Sequence, residues 1–484
     1  MTSRPPRRRR WGSGPAVARP GMTLAAVAVV QFMVSLDLSV LNVGLPQIAA
    51  GLGFSPIGLT WVIHAYALTF GGLLLLGGKL ADRFGRKRVL LVGLVLFGLA
   101  SLAGGFAQLP GHLVAARATQ GIGAAALAPA ALALLTSTFP DGKARVRAFG
   151  IWSAVNAAGG AFGVLIGGLL SEYSGWQWLM FVSAPMSAVA LALAWRGVAT
   201  DPPAERRGRP DVIGAVLATA GMTLLVFGVV RTDQYGWTAP ITVTTLAAAV
   251  ALLTAFIGSE RTSTRDPLVR LSLFTTRAVA AANACSFILG AVLASSFYFM
   301  SLYLQRVLGT GPALTGLEFL PFALGVIAGA AATVRLGYRV APRTLLIAGG
   351  LLTAAGFGWF GLISPEGTYI ADILGPSIIA GIGFGLCLGP VVATATAGVA
   401  AHEAGAASGL LNSTRWVGVS LGLAALGTAA AHRTGHSTRP QALTDGYALG
   451  MTLSAALMAA AVLIALLFLP RTRNTAAQAD IATG

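Results

Sequence analysis

The sequence predicts an all-α polytopic membrane protein with fourteen transmembrane helices, set out as two six-helix bundles with a two-helix insert between them. Three observations lead there. Of 484 residues, 55% are hydrophobic and only 10% charged, and the mean hydropathy is +0.76; a soluble chain carries about 25% charged residues. The apolar residues gather into fourteen runs, most of them close to the ~20 residues a helical crossing needs. With both termini placed on the cytoplasmic side of the cell membrane, 27 of the 33 Lys and Arg fall in cytoplasmic loops and tails. Four (Arg231, Arg306, Arg433 and Arg439) fall outside, and Arg117 and Arg415 fall within spans. So lopsided a split is the positive-inside pattern, and it supports both the even number of spans and the orientation.

A basic cytoplasmic tail, 1–20, carries Arg4, Arg7–Arg10 and Arg19. Basic residues before an apolar run also open secretory signals, but the run from Gly21 to Leu45 is too long for a cleaved segment and reads as the first span. The N-terminal bundle, 21–200, holds runs at 21–47, 58–78, 89–108, 111–138, 148–171 and 177–195. The Pro-rich connector Asp201–Asp211 opens a linker and two-helix insert, 201–270, with runs at 212–230 and 240–258. After the polar stretch Glu260–Arg277, the C-terminal bundle, 271–470, holds runs at 278–304, 313–334, 344–363, 372–399, 405–430 and 447–469, and a cytoplasmic tail, 471–484, follows. The two blocks show a weak internal repeat. Apolar residues do not alternate with period two, which argues against a β-barrel.

A formal charge of +17 would suit a nucleic-acid binder, but the charges are parcelled into short loops between apolar runs, so the expected surface partner is the lipid bilayer and no nucleic acid. Cys285 and Cys387 both fall inside spans, which implies neither a disulfide framework nor a Cys metal site. No Walker A loop, nucleophile–base set or His-x-x-Glu-type spacing occurs. The chain is therefore expected not to be an enzyme and to need no metal or cofactor; it draws on an ion gradient or is passive.

Between the second and third runs lies Gly77-Gly-Lys-Leu-Ala-Asp-Arg-Phe-Gly-Arg-Lys-Arg88. Its charges exclude it from hydrocarbon and make it a water-side hinge. Gly77 and Gly78 allow close helix packing, Gly85 permits a tight reversal, and Asp82 can cap the next helix or pair with Arg83 or Arg86. Positive-inside anchoring alone leaves the order of these residues unexplained. From Gly78 to Lys87 it resembles G-x-L-a-D-r-x-G-r-k, the loop between spans two and three of the major facilitator superfamily. The resemblance implies that Gly78, Asp82, Arg83, Gly85 and Arg86 help to latch the cytoplasmic ends of the spans in one access state.

Further motifs point to one branch of that superfamily. Leu36-Asp-Leu-Ser-Val-Leu-Asn-Val-Gly-Leu-Pro46 resembles the span-one segment of the fourteen-span drug:proton antiporters. A rise of ~1.5 Å per residue puts Asp37 ~22 Å along its span. Arg117-Ala-Thr-Gln-Gly-Ile-Gly matches the family's R-x-x-Q-G-x-G, with Gln120 and Gly121 at the fixed positions and Arg117 ~9 Å below the outer surface. Asp37 and Arg117 thus share a depth and are expected to pair, either as a structural ion pair or as a proton-pathway element. Gly163 and Gly167 resemble the span-five antiporter signature, although Val164 replaces its proline. They also simply allow close helix contact.

Other residues carry two readings. His64 is either a packing residue or a titrating group near the Asp37 level. Trp61 and Tyr66 either stack on a guest or pack and anchor, and Trp176 and Trp178 read as interface anchors. Glu318, ~8 Å from the outer end of its span, serves substrate chemistry or sits at the headgroup boundary. Arg415, in Leu410-Leu-Asn-Ser-Thr-Arg-Trp-Val-Gly418, lies near the midplane with Trp416 where the family carries a polar residue. The candidate proton-coupling residues are Asp37, Arg117, Glu318 and His64. Candidate substrate contacts are Asp37, Asn42, Tyr66, Asn156, Tyr298, Glu318, Asn412 and Arg415, with Phe297, Tyr303 and Phe319 beside Tyr298 as an aromatic wall. The resemblance implies a proton-driven exporter of amphipathic drug-like or antibiotic molecules, working by alternating access as a monomer, with small-molecule substrate and protons as partners. An importer or uniporter of a small metabolite, and a membrane receptor or scaffold, are the alternatives.

Overall fold

The computed structural model describes residues 19–139, 142–199, 211–262, 276–336, 339–396, 404–435 and 437–469. The two tails up to residue 18 and from 470, and most of the two polar linkers, 200–210 and 263–275, lie outside the described residues. The N-terminal half consists of α1 (Pro20–Leu52), α2 (Trp61–Phe84), α3 (Arg86–Gly105), α4 (Pro110–Thr138), α5 (Gly142–Tyr173) and α6 (Gln177–Gly197). The insert is α7 (Val212–Tyr235) and α8 (Pro240–Thr262). The C-terminal half consists of α9 (Arg277–Val307), α10 (Pro312–Leu336, broken at Phe319), α11 (Pro342–Phe360), α12 (Tyr369–Ala395), α13 (Ala404–Thr434) and α14 (Pro440–Phe468). Six helices start on a proline, Pro20, Pro110, Pro240, Pro312, Pro342 and Pro440, where the missing N–H costs nothing.

Thirteen of these helices are long and apolar enough to cross a membrane. The run expected as the thirteenth span is α13, 31 residues long. Asn412, Ser413, Thr414 and Arg415 interrupt it, and by apolarity it is not among the thirteen.

Small residues bring the helices of each half together. Gly163 and Gly167 of α5 lie against α1, where a β-carbon would come within 2.8 Å of the Leu36 carbonyl and 2.5 Å of the Val40 carbonyl. Any larger residue at either position pushes the helices apart. The expected reversal between α2 and α3 occurs at Gly85, whose φ of 96° suits glycine alone. Gly85 is also the residue before α3, and no side chain caps that helix. Asp82 therefore does not act as the cap; it is exposed and forms no hydrogen bond or ion pair among the described residues. Arg86 donates to the Ala133 carbonyl (3.4 Å), and Lys87 to the carbonyls of Trp195 and Val198.

The α2–α3 loop marks one face of the molecule as the basic face. On the opposite face the halves meet. Gln47 of α1 donates to Gln305 of α9 (2.9 Å), and Gln305 donates to the Val43 carbonyl (2.8 Å). Glu172 of α5 accepts from the Ala313 amide of α10 (2.7 Å), and Gly168 sits directly on Pro312 and Ala313. Along the flank, α2 packs on α13, with Gly71 beneath Trp416.

Helix α7 covers that flank and touches both halves. Its Val226 and Val230 form a buried cluster with Leu68 of α2 and Ala424 of α13, ringed by Trp61, Met222, Val229 and Leu421. The Trp61 ring lies edge-on to Phe227 at 5.9 Å, so Trp61 is a packing residue of the insert. Trp176 is likewise 7% exposed and packs under Gly51 of α1, where a small residue leaves room for the indole; it is not an interface anchor. Trp178 is 51% exposed, as an anchor is.

Candidate functional site

Helix α1 turns Asp37 away from the cleft and into the N-terminal half, against α4. Gly121, one turn along α4 from Arg117, rests on the Thr69 hydroxyl and the Tyr66 carbonyl, which draws α4 close to α2. Arg117 Nη1 then reaches Asp37 Oδ2 at 2.6 Å, and the two residues are 2% and 0% exposed. The predicted pair is formed.

The pair is the centre of a satisfied network. Arg117 Nη1 also donates to Gln120 Oε1 (2.7 Å), and its Nε donates to the Val62 carbonyl (3.1 Å). Gln120 Nε2 donates to Asp37 Oδ1 (3.1 Å) and to Ser101 Oγ (2.7 Å), and Ser183 Oγ donates to Asp37 Oδ1 (3.3 Å). The guanidinium carbon lies 4.4 Å from the Tyr66 ring centroid, a cation–π contact. Removing one partner of a buried pair costs about 3–5 kcal/mol because a charge is left uncompensated. Ser101 and Ser183 gave no signal in the sequence, since hydroxyls are common in apolar spans and usually bond their own helix.

Tyr66 is fully buried and does not face the cleft; its ring lies between Arg117 and Trp416 of α13, 5.9 Å from the latter. Phe70 packs on the same Trp416 with its ring tilted by 55°, centroids 4.7 Å apart. An aromatic bridge therefore joins the charge pair of one half to the other half. His64 is fully buried beside Trp61, ring centroids 5.6 Å apart, and its two nitrogens have no hydrogen-bond partner among the described residues. The structure does not bring it into the Asp37 network.

The cleft itself is polar toward the basic face. Asn156 of α5 is exposed and accepts from Gln31 Nε2 and Ser35 Oγ of α1, both at 2.6 Å. Gln31 and Ser35 are new members of this site; their signal was a polar pair four residues apart in an apolar run. Asn42, half-buried, donates to the Leu38 carbonyl (2.7 Å). Asn412 and Arg415 are half-buried on α13, and their neighbour Thr414 donates to Asn283 of α9 (3.0 Å).

Of the expected aromatic wall, Phe297 and Phe319 do stack, 5.3 Å apart and nearly parallel. Tyr298 points the other way, buried beside Phe299 at 5.4 Å. It is not a cleft residue in this state, because successive positions on a helix diverge by about 100°. Glu318 is 8% exposed at the break in α10, and its Oε2 has no partner among the described residues. The Tyr369 hydroxyl bonds its backbone carbonyl (3.3 Å).

Two helical halves closed at one end around a polar cleft, with opposite charges paired inside one of them, define a multi-pass membrane protein of the secondary-transporter class. The Major Facilitator Superfamily model matches residues 27–423. The chain is 41% identical over 443 residues to the cephamycin export protein CmcT of Amycolatopsis lactamdurans, covering 89% of this chain and 88% of that protein. It is 40% identical over 472 residues to the puromycin resistance protein pur8 of Streptomyces alboniger, covering 95% and 90%. In fold it is similar to a bacterial homolog of the human lysosomal transporter Spinster, in an inward-facing and unoccupied conformation, with a TM-score of 0.66 at 17% identity over 95% of this chain and 98% of that one. The chain belongs to the major facilitator superfamily, and the fourteen-span branch suggested by its motifs fits these relatives.

Proposed function

We propose that the protein is a proton-driven exporter of amphipathic, antibiotic-like small molecules. The observation that carries this reading is the buried Asp37–Arg117–Gln120 network, a protonatable group held beside a cleft that is closed on one face. The names of the relatives, among them a cephamycin export protein and a puromycin resistance protein, support the substrate class. The proton gradient is the energy source, and neither a cofactor nor an enzymatic step is involved. The basic face is cytoplasmic, both termini lie on that side of the cell membrane, and the transporter works as a monomer.

In this reading the described state faces inward and loads substrate from the cytoplasm. Residues 21–200 and 271–470 rock against one another about the cleft. A proton and the Arg117 guanidinium are alternative partners for the same carboxylate. When Asp37 takes a proton from outside, Arg117 keeps its bonds to Gln120 and Val62 but loses its charge partner. Tyr66 and Trp416 carry that rearrangement to α13. The experiment that tests this is transport out of substrate-loaded reconstituted vesicles with an internal pH dye, in which substrate efflux and proton entry must rise and fall together.

Orientation has its own test. Cysteines replacing Ser137, at the basic end of α4, and Ser437, before α14, are expected to react with an impermeant maleimide only from the cytoplasm and only from outside, respectively. The native Cys285 and Cys387 are buried and give little background. Reversed labelling overturns the assignment of the basic face.

The Asp82 latch belongs to the other access state, since the carboxylate has no partner among the described residues here. Asp82→Asn is therefore expected to leave membrane insertion and the inward-facing state intact while slowing turnover roughly ten- to hundredfold. That is the loss expected when one charge-assisted hydrogen bond of about 1.5–3 kcal/mol is removed from only one of two states. Transport equal to wild type at matched expression would exclude the latch.

A further inference from the structure

The faces of α13 fix where Arg415 sits. Ser413 and Trp416 turn to α2, where the Ser413 hydroxyl donates to the Gly71 carbonyl. Gly418 and Gly422 turn to Phe287 and Ala291 of α9, and Leu421 turns to the insert. The stripe left between α2 and α9 is Asn412, Arg415, Val419, Leu423 and Leu426, spaced three or four residues apart and so on one side of the helix. At the closed end, Val419, Leu423 and Leu426 are buried in the same cluster as Leu41 and Leu45 of α1. Arg415 is the next residue of that stripe toward the basic face, and it is half-buried.

Its guanidinium has no hydrogen bond or ion pair among the described residues. Helices α1 and α5 carry the neutral polar groups of Gln31, Ser35 and Asn156, which hydrogen-bond to each other. The acids of the spans do not answer it. Asp37 is spent on Arg117 inside the N-terminal half, and Glu318 is buried at the break in α10, near the closed face. A planar cation with five donors, at membrane depth and without an acceptor among the described residues, is a receptor for a planar anion, and a carboxylate matches its fork geometry.

We propose that Arg415 anchors the carboxylate of an anionic amphipathic substrate, with the amide wall of Gln31, Ser35 and Asn156 taking its neutral polar groups. The inference rests on the exporter reading and names its substrate class: organic acids, selected over amines.

The probes are 11-(dansylamino)undecanoic acid, its primary amide and the matching terminal amine, which share one apolar body. Binding to the purified full-length chain is read by energy transfer from tryptophan to dansyl. Wild type is expected to bind the acid at least about tenfold more tightly than the amide, and the amine no better than the amide. Arg415→Gln brings acid binding down to the wild-type amide level, and Arg415→Lys, which keeps the charge without the fork, falls between. Monodisperse elution checks the fold of each variant; if Arg415→Gln does not fold, the ranking in wild type and in Arg415→Lys decides. Tighter binding of the amine, or an acid preference that survives Arg415→Gln, overturns the proposal. Vesicles that bind the acid but never move it against its gradient would refute the exporter and leave the anion site standing. Vesicles that export the amine and ignore the acid would do the reverse.

Discussion

Asp37→Asn is expected to abolish uphill export while leaving substrate exchange across the vesicle membrane. Asparagine keeps the shape of the side chain and one oxygen that accepts from Gln120 or Ser183, but it cannot carry a proton in and give it up inside. With one proton exchanged per substrate, each pH unit supports about a tenfold substrate gradient; in the variant that gradient collapses to none. The substitution also strands the Arg117 charge, at a cost of about 3–5 kcal/mol, so a poorly folded protein would mimic lost coupling. The double variant Asp37→Asn/Arg117→Gln removes both charges and relieves that strain. It is expected to fold better than the single variant and to remain uncoupled. Efflux still linked to proton entry in either variant, read with the internal pH dye, would exclude Asp37 as the proton carrier and return Glu318 and His64 to consideration.

How much of this site was legible depended on how rare each signal is. A carboxylate and a guanidinium inside apolar spans are uncommon and expensive, and counting the rise along each helix was enough to place Asp37 and Arg117 at one level. Gln120 was legible as a motif position, although its part in bridging the pair was not. Tyr298 and Trp176 were misplaced for one reason: a helix in this fold is apolar nearly all round, so periodicity does not tell the cleft side from the bundle side. The position of α7 against both halves depends on contacts between residues about 150–200 apart in sequence, such as Leu68 and Leu421 with Val226, which no local pattern encodes. The Asp82 motif lies at the α2–α3 turn where the sequence put it, but a motif belongs to every state of the cycle and does not report which one is populated.

Gly168→Val is expected to hold the protein open to the outside and to stop transport. Gly168 rests on the backbone of α10, where a β-carbon would overlap the Pro312 carbonyl and lie 3.0 Å from Ala313 Cα. Backbone cannot swing aside as a flexible side chain can, so the halves must part at this face. Overpacking of this kind costs about 1–3 kcal/mol, and because the overlap exists only when this face is closed, it shifts the access equilibrium by roughly fivefold to over a hundredfold. Gln47, hydrogen-bonded to Gln305 in the closed contact, supplies the reporter position. A cysteine there is expected to react slowly with an external maleimide in the otherwise native chain and at least about fivefold faster when Gly168→Val is added. Gly160→Ala is the control: it is two turns away on the same helix, and the nearest atom to its new β-carbon is Ser39 Oγ at 3.8 Å, so labelling and transport are expected to stay at the native level. Unchanged labelling of the Gln47 cysteine in the Gly168→Val background would mean that the α5–α10 seam is not part of the gate.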